Sequence, residues 1–205
     1  MNISRHCQRN KIRGIAMIEV LVTMIILSIG LLGLAGLQLT GMRSINSASL
    51  KTQASVLIND ISERMRANPD AVDDNKFIDV DSSTNIDCSA APAPYCSEYY
   101  DAGSGSVVAA ASCTPDQLAD YDINAWFCGT LTTTGGAPTG GVQSVLPQAS
   151  ATITCTDTDP PSGPDADPCT DRSPHTITLS WNELNPNRSG NSDPVTQSIA
   201  VTIKP

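Results

Sequence analysis

Arg13-Gly14-Ile15-Ala16-Met17-Ile18-Glu19-Val20-Leu21-Val22-Thr23-Met24-Ile25-Ile26-Leu27 opens an apolar run in which no residue from Val20 to Met42 is charged. That matches the roughly 20 apolar residues a helix needs to cross the hydrocarbon core of a bilayer. A membrane helix is therefore expected. Glu19 stands inside the run, where an unpaired carboxylate costs about 2.5 kcal/mol or more, so it requires a cation. A cut after Gly14 would supply one. Ile15 would become the N-terminus, its ammonium four residues before Glu19, the spacing at which helix neighbours face each other. The same group on a neighbouring subunit would serve equally well.

Charge is distributed to suit that cut. Arg5, Arg9, Lys11 and Arg13 precede Gly14, whereas all twenty-one acids follow it. Basic residues beside a first membrane helix hold that end in the cytoplasm. An ordinary secretory signal peptide also begins with a basic region, but here the apolar run is too long and no small-x-small site precedes a polar mature start. A plain uncut anchor is the other alternative. The formal charge of the whole chain is −9. Without the first fourteen residues, eight Lys and Arg face twenty-one acids, a formal −13. Such acidity argues against nucleic-acid binding, which draws most of its affinity from phosphate contacts, and no basic cluster is present to propose for it.

Gly14 followed by an apolar residue, with Glu19 fifth in the run, resembles the class III signal of type IV prepilins. Pilins usually begin with Phe where this chain has Ile15. The resemblance implies that a prepilin peptidase cuts between Gly14 and Ile15 and methylates the new amine of Ile15. It also implies that Glu19 aligns subunits during assembly. Two further blocks, Leu27-Ser28-Ile29-Gly30-Leu31-Leu32-Gly33-Leu34-Ala35-Gly36-Leu37-Gln38 and Glu63-Arg64-Met65-Arg66-Ala67-Asn68-Pro69, resemble the minor pilins of the PilV type IV pilus modification family. Gly30, Gly33 and Gly36 each cost about 1 kcal/mol against Ala in a helix. Close packing of small residues explains them, and the resemblance offers local loosening of the helix in a filament instead.

Past the membrane segment, Leu50, Ala54, Leu57, Ile61 and Met65 recur at spacings of three and four, with Gln53, Asp60, Glu63 and Arg64 on the other side. The helix is expected to continue to Asn68-Pro69, since a residue before Pro is pushed out of the α region. From Ile15 that is about 52 residues, roughly 78 Å at 1.5 Å per residue. Its second half must then carry a small head. Asp70 to Gly141 reads as a long polar connection, with a short helix near Pro115 to Phe127 turning Leu118, Tyr121 and Trp126 inward. The last third alternates: Ala151 to Cys155, then Ile177, Leu179 and Trp181, then Ile199, Val201 and Ile203 predict antiparallel strands with one buried face. The amphipathic half of the helix is the available cover for that face.

The fold class expected is α+β, a type IV pilin fold by resemblance, with a long N-terminal helix on a small antiparallel sheet. Five regions follow: a basic leader at 1–14, a transmembrane and assembly helix at 15–42, an amphipathic continuation at 43–68, a connecting region at 69–141, and a sheet region at 142–205.

Six of the seven cysteines, Cys88, Cys96, Cys113, Cys128, Cys155 and Cys169, lie beyond the leader. An even set in an oxidising compartment implies three disulfides among fifteen possible pairings. Pairing in sequence order is favoured, above all Cys155 with Cys169. A zinc site would need a Cys-x-x-Cys or an accompanying His pair, and neither is present.

Asp79, Asp81, Ser83, Asn85 and Asp87 alternate like the early ligands of a calcium loop. Thr84 and Ala90, however, stand where that loop needs Gly and a bidentate Glu. Asp157, Asp159, Asp165, Asp167 and Asp171 crowd the Cys155 to Cys169 link without fixed spacing. Solvated acidic loops account for both groups, and no metal or other cofactor is expected.

Catalysis fares poorly. His175 is the one histidine outside the leader, placed at a strand start with no nucleophile or carboxylate constellation around it. Gly135-Gly136-Ala137-Pro138-Thr139-Gly140-Gly141 lacks the Lys and helix of a phosphate loop. No catalytic residue is assigned.

The expected function is a minor pilin subunit. Its partners by resemblance are the major pilin, other minor pilins, the prepilin peptidase and the inner membrane. Before assembly the head would sit in the periplasm, and afterwards on the pilus at the cell surface. The alternative is a minor pseudopilin of a type II secretion system, which shares the same N-terminal signal.

Overall fold

In lipid every backbone polar group must find its partner within the segment, and a helix does this for a single span. In the computed structural model the apolar run is the beginning of α1, Met17–Ala67, 51 residues long. The structure describes residues 17–89, 92–101, 103–130, 138–157, 169, 173–184 and 194–205. The chain forms two compact units, divided between Ile45 and Asn46.

The first unit contributes α1 from Met17 to Ile45, and every described side chain in it is exposed. Its apolar stretch is long and apolar enough to cross a membrane, and no residue of that window is buried. An apolar helix whose described side chains are all exposed is suited to lipid or to other helices.

The second unit takes α1 from Asn46 onward and packs it into a head. Ala54, Ile58, Ile61, Ser62 and Met65 are buried, and Leu50 and Leu57 pack at the edge of the core. The helix stops at Ala67 because Asn68, preceding Pro69, leaves the α region at φ −131° and ψ 64°. α1 thus ends at the Asn68-Pro69 stop expected from the sequence, and a separate short helix follows. Pro69, lacking an N–H that the first turn would leave unpaired anyway, starts α2, Pro69–Asp73.

Then follow β1 (Val80–Asp81), β2 (Tyr99–Asp101), β3 (Ser106–Val108), α3 (Pro115–Cys128), β4 (Gly129–Thr130), β5 (Thr139–Gly140), α4 (Val142–Val145), β6 (Ser150–Cys155), β7 (His175–Leu184) and β8 (Pro194–Ile203). The main sheet has the order β1-β6-β7-β8, antiparallel at each step. Pairs β2–β3 and β4–β5 form small separate ladders.

The head is thus α+β, with the amphipathic half of α1 and a sheet contributing to one core. Ile153, Ile177, Leu179 and Trp181 from the sheet lie in the same buried cluster as Ile58, Ile61 and Met65 from α1. Ile199, Val201 and Ile203 are only partly buried against it. Val80 of β1 pairs opposite Ile153 of β6 and adds to the core.

α3 is set by a capping box: the Thr114 hydroxyl accepts from the Gln117 N–H, and the Thr114 N–H donates to Gln117 Oε1 at 3.0 Å. It buries Tyr121, Ile123, Trp126 and Phe127, while Leu118 is only half-buried. Tyr121 packs edge-on against Tyr95, which in turn meets Tyr99 with ring centroids 4.6 Å apart. At its end Gly129 adopts φ +99°, and a Cβ there would run into the Thr139 carbonyl and the Gly141 backbone. Only Gly fits this close approach of two chain segments.

Candidate functional site

Two features of the chain can carry function: the apolar helix with its acid, and the contacts that fix the head on α1. Gly14 and Ile15 lie outside the described residues. Glu19 is in the first turn of α1 and exposed. The hydroxyls in the apolar stretch bond back to their own helix: Thr23 Oγ1 donates to the Val20 carbonyl at 2.9 Å, Ser28 Oγ to Met24 at 2.7 Å and Thr40 Oγ1 to Gly36 at 3.1 Å. Glu19 has no ion pair among the described residues. Being the sole ionisable side chain between Met17 and Met42, it is the group in the stretch with the most to gain from a partner outside its own helix. Gly30, Gly33, Gly36 and Gly41 face open space, where an added Cβ would meet nothing within 4 Å. Packing among the described residues therefore gives no reason for glycine at these four positions.

In the head, α3 is locked to α1 and to Asn68 just beyond it by three polar contacts. Trp126 Nε1 donates to the Leu57 carbonyl at 2.8 Å, so the indole satisfies its N–H while its rings fill the core. The buried Asn68 donates from Nδ2 to the Pro115 carbonyl at 2.7 Å. Arg64 Nη1 reaches Asp122 Oδ1 at 2.6 Å, and its Nε lies 3.2 Å from Asp60 one turn earlier. Burial pushes the Asp122 carboxyl up, and the hydrogen bond and charge of Arg64 pull it back. Burial likewise opposes the charge on Arg64, but Asp122 and Asp60 outweigh it and raise the guanidinium pKa. The two partners thus point in opposite senses for the pair. The short contact and the partial solvent access of Arg64 favour the ionised form. Sequence reading placed Arg64 on the polar side of α1 and did not pair it. The signal was in α3: Asp122 lies three residues after Ala119 and four before Trp126, an acid on an inward helical face that calls for a cation.

The six cysteines after Gly14 form three disulfides, but not all in sequence order. Cys88 bonds Cys128 and Cys96 bonds Cys113, one loop nested inside the other; Cys155 bonds Cys169. The correction follows from α3. It runs back across the head and brings Cys128, buried at its end, beside Cys88 with Cα atoms 5.4 Å apart.

The alternating acidic loop folds onto itself. Asp81 Oδ1 accepts from the Ser83 N–H and hydroxyl, Asn85 Oδ1 from the Asp81 N–H, and Asn85 Nδ2 donates to the Asp79 carbonyl. Hydrogen bonds from Ser83 hold the Asp81 carboxyl below its usual range, and those from Ser89 do the same for Asp87. Asp159, Asp165, Asp167 and Asp171 lie outside the described residues.

His175, expected at a strand start, does begin β7, but it is buried. It is 3% exposed because β7 lies between β6 and β8, with His175 opposite both Cys155 and Ile203. Burial holds its imidazole below the usual histidine range, partly offset by the Ser173 carbonyl at 3.0 Å from Nδ1.

Comparison with known proteins gives two family matches. The prokaryotic N-terminal methylation motif matches residues 9–35, and the Tt1218-like family, described as type IV pilin Tt1218, matches residues 36–124. No curated protein and no solved structure matches the chain. The first match spans Gly14, Ile15 and Glu19, and the second spans the Glu63 to Pro69 block, α3 as far as Asn124, and the Cys96–Cys113 disulfide, ending before Cys128.

Proposed function

We propose, from the premise that this chain is a type IV pilin, that it is a minor pilin of the PilV kind which enters the pilus or primes its assembly. The methylation motif implies processing by the prepilin peptidase and assembly with other pilins. Pilins are structural subunits, and the chain's role is mechanical rather than catalytic.

In the proposed mechanism the peptidase cuts between Gly14 and Ile15, and the Ile15 amine is methylated. The apolar helices then bundle with those of the major pilin and other minor pilins. Glu19 offsets the buried ammonium of an adjacent subunit and so selects the axial register, because in a misplaced helix the carboxylate stays unsatisfied. The basic residues before Gly14 hold the start of the chain in the cytoplasm. The head with its disulfides lies in the periplasm before assembly and on the cell surface after it. The observation that carries this reading is Glu19, an exposed acid at the head of an apolar helix, with no ion pair among the described residues.

Mass spectrometry of the native mature chain tests the processing: it should begin at methylated Ile15, and a native chain that begins at Met1 overturns the proposal. Sheared surface filaments should contain the wild-type protein and lack Glu19→Ala. A deletion that abolishes exoprotein secretion and leaves pili intact would assign the chain to the pseudopilins instead.

A further inference from the structure

β6 ends at Cys155 and β7 begins at His175, and the strand register sets these two residues opposite each other. The disulfide brings Cys169 to the same place, so that both Sγ atoms and an imidazole nitrogen lie within 4.8 Å of one another. Nδ1 of His175 is 3.0 Å from the Ser173 carbonyl. A carbonyl only accepts, so in the neutral ring Nδ1 carries the proton and Nε2 the lone pair. That Nε2 is buried and has no hydrogen-bond partner among the described residues. A buried acceptor left unpaired costs about 1 to 3 kcal/mol, and such a group calls for an explanation.

A histidine that donates from one ring nitrogen to a carbonyl and keeps the other free is oriented as metal-binding histidines are. Two sulfurs beside it make a donor set suited to zinc, which takes tetrahedral Zn–S and Zn–N bonds of about 2.3 and 2.0 Å. In the disulfide neither sulfur is free to serve as a thiolate. The dithiol is a different matter.

We propose that the reduced head holds one zinc ion on Cys155, Cys169 and His175, with solvent in the fourth position beside the half-buried Cys155, and that forming the disulfide expels it. On binding, the two thiols release two protons and His175 gives its Nε2 lone pair. On oxidation, the two thiolates join as the disulfide and pass two electrons to a thiol-disulfide oxidant, which takes two protons from solvent and leaves as its dithiol, while zinc departs with water in place of its protein ligands. The sequence lacks the close cysteine spacing of zinc motifs because the three ligands meet across two strands and a connecting segment. The inference concerns the head alone and does not depend on the pilus reading.

The test uses the full chain in detergent, reduced with a phosphine, with and without one equivalent of zinc. Each cysteine's alkylation rate is followed by peptide mass spectrometry. Zinc should slow Cys155 and Cys169 at least tenfold and leave Cys88, Cys96, Cys113 and Cys128 unchanged. His175→Gln should reduce the protection at least tenfold, and cobalt in place of zinc should give a thiolate charge-transfer band in wild type that Cys155→Ser lacks. The same chain kept oxidised should take up no zinc at this site. Absence of protection in the wild-type chain, equal protection of all six cysteines, or protection undiminished in His175→Gln overturns the proposal.

Discussion

Replacing Arg64 by Ala tests whether α3 is tied to α1 by charge as well as by packing. The Asp122 side chain is 11% exposed and that of Arg64 32%, so this pair lies between two regimes. Stripping a buried ion pair of one partner costs about 3 to 5 kcal/mol, whereas an exposed pair is worth about 0 to 1 kcal/mol. Arg64→Ala should therefore destabilise by about 2 to 3 kcal/mol, because Asp122 is left buried with the charge of Asp60 nearby. Asp122→Asn should cost about 1 kcal/mol or less, since Arg64 keeps Asp60 at 3.2 Å and some water. In the Asp122→Asn background, Arg64→Ala should add little.

The unpaired Asp122 of Arg64→Ala has its folded pKa raised above its unfolded value, so it favours folding when protonated. The deficit of Arg64→Ala should then shrink as pH falls from 7 toward 5. Urea unfolding of the full chain in detergent, read by the fluorescence of Trp126 and Trp181, measures all three variants. An Arg64→Ala cost equal in both backgrounds, or one that does not shrink with acid, would refute the reasoning.

Other consequences are as direct. The Cys88–Cys128 bond closes a 40-residue span and Cys96–Cys113 one of 17, so chain entropy predicts losses of about 4 and 3 kcal/mol when each pair is changed to Ser, read by the same urea titration. Gly129→Ala, at φ +99° with the Gly141 nitrogen 2.8 Å from the new Cβ, should cost at least about 2 kcal/mol; an unchanged melting temperature would contradict the close approach drawn here. For Asp81, a folded pKa below the unfolded one means its contribution is present above the unfolded value, roughly 3.9, and is lost as pH falls through the folded value. Asp81→Asn should therefore flatten the acid limb of a stability-pH curve.

What could be read in advance depended on the range over which residues cooperate. The helix is a local pattern: Ala54, Ile61 and Met65 are buried as their spacing implies. Strands β6, β7 and β8 alternate over six to ten residues, long enough for a period of two to show. β1 is two residues long and has no period to detect; it exists because Val80 finds Ile153, far along the chain. The disulfide partners and the burial of His175 depend likewise on which elements the fold brings together, and neighbouring residues do not encode that. Glu19 was legible for the opposite reason, since a lone acid in an apolar run is conspicuous without any structure.

The nesting of Cys96–Cys113 inside Cys88–Cys128 bears on how the molecule meets proteases. A backbone nick between Ser97 and Ser112 falls within both rings, so the two fragments stay joined by two covalent clasps. Such a cut adds one water to the mass and releases nothing until the disulfides are reduced, so this surface can be clipped without shedding the α3 that is clamped to the long helix.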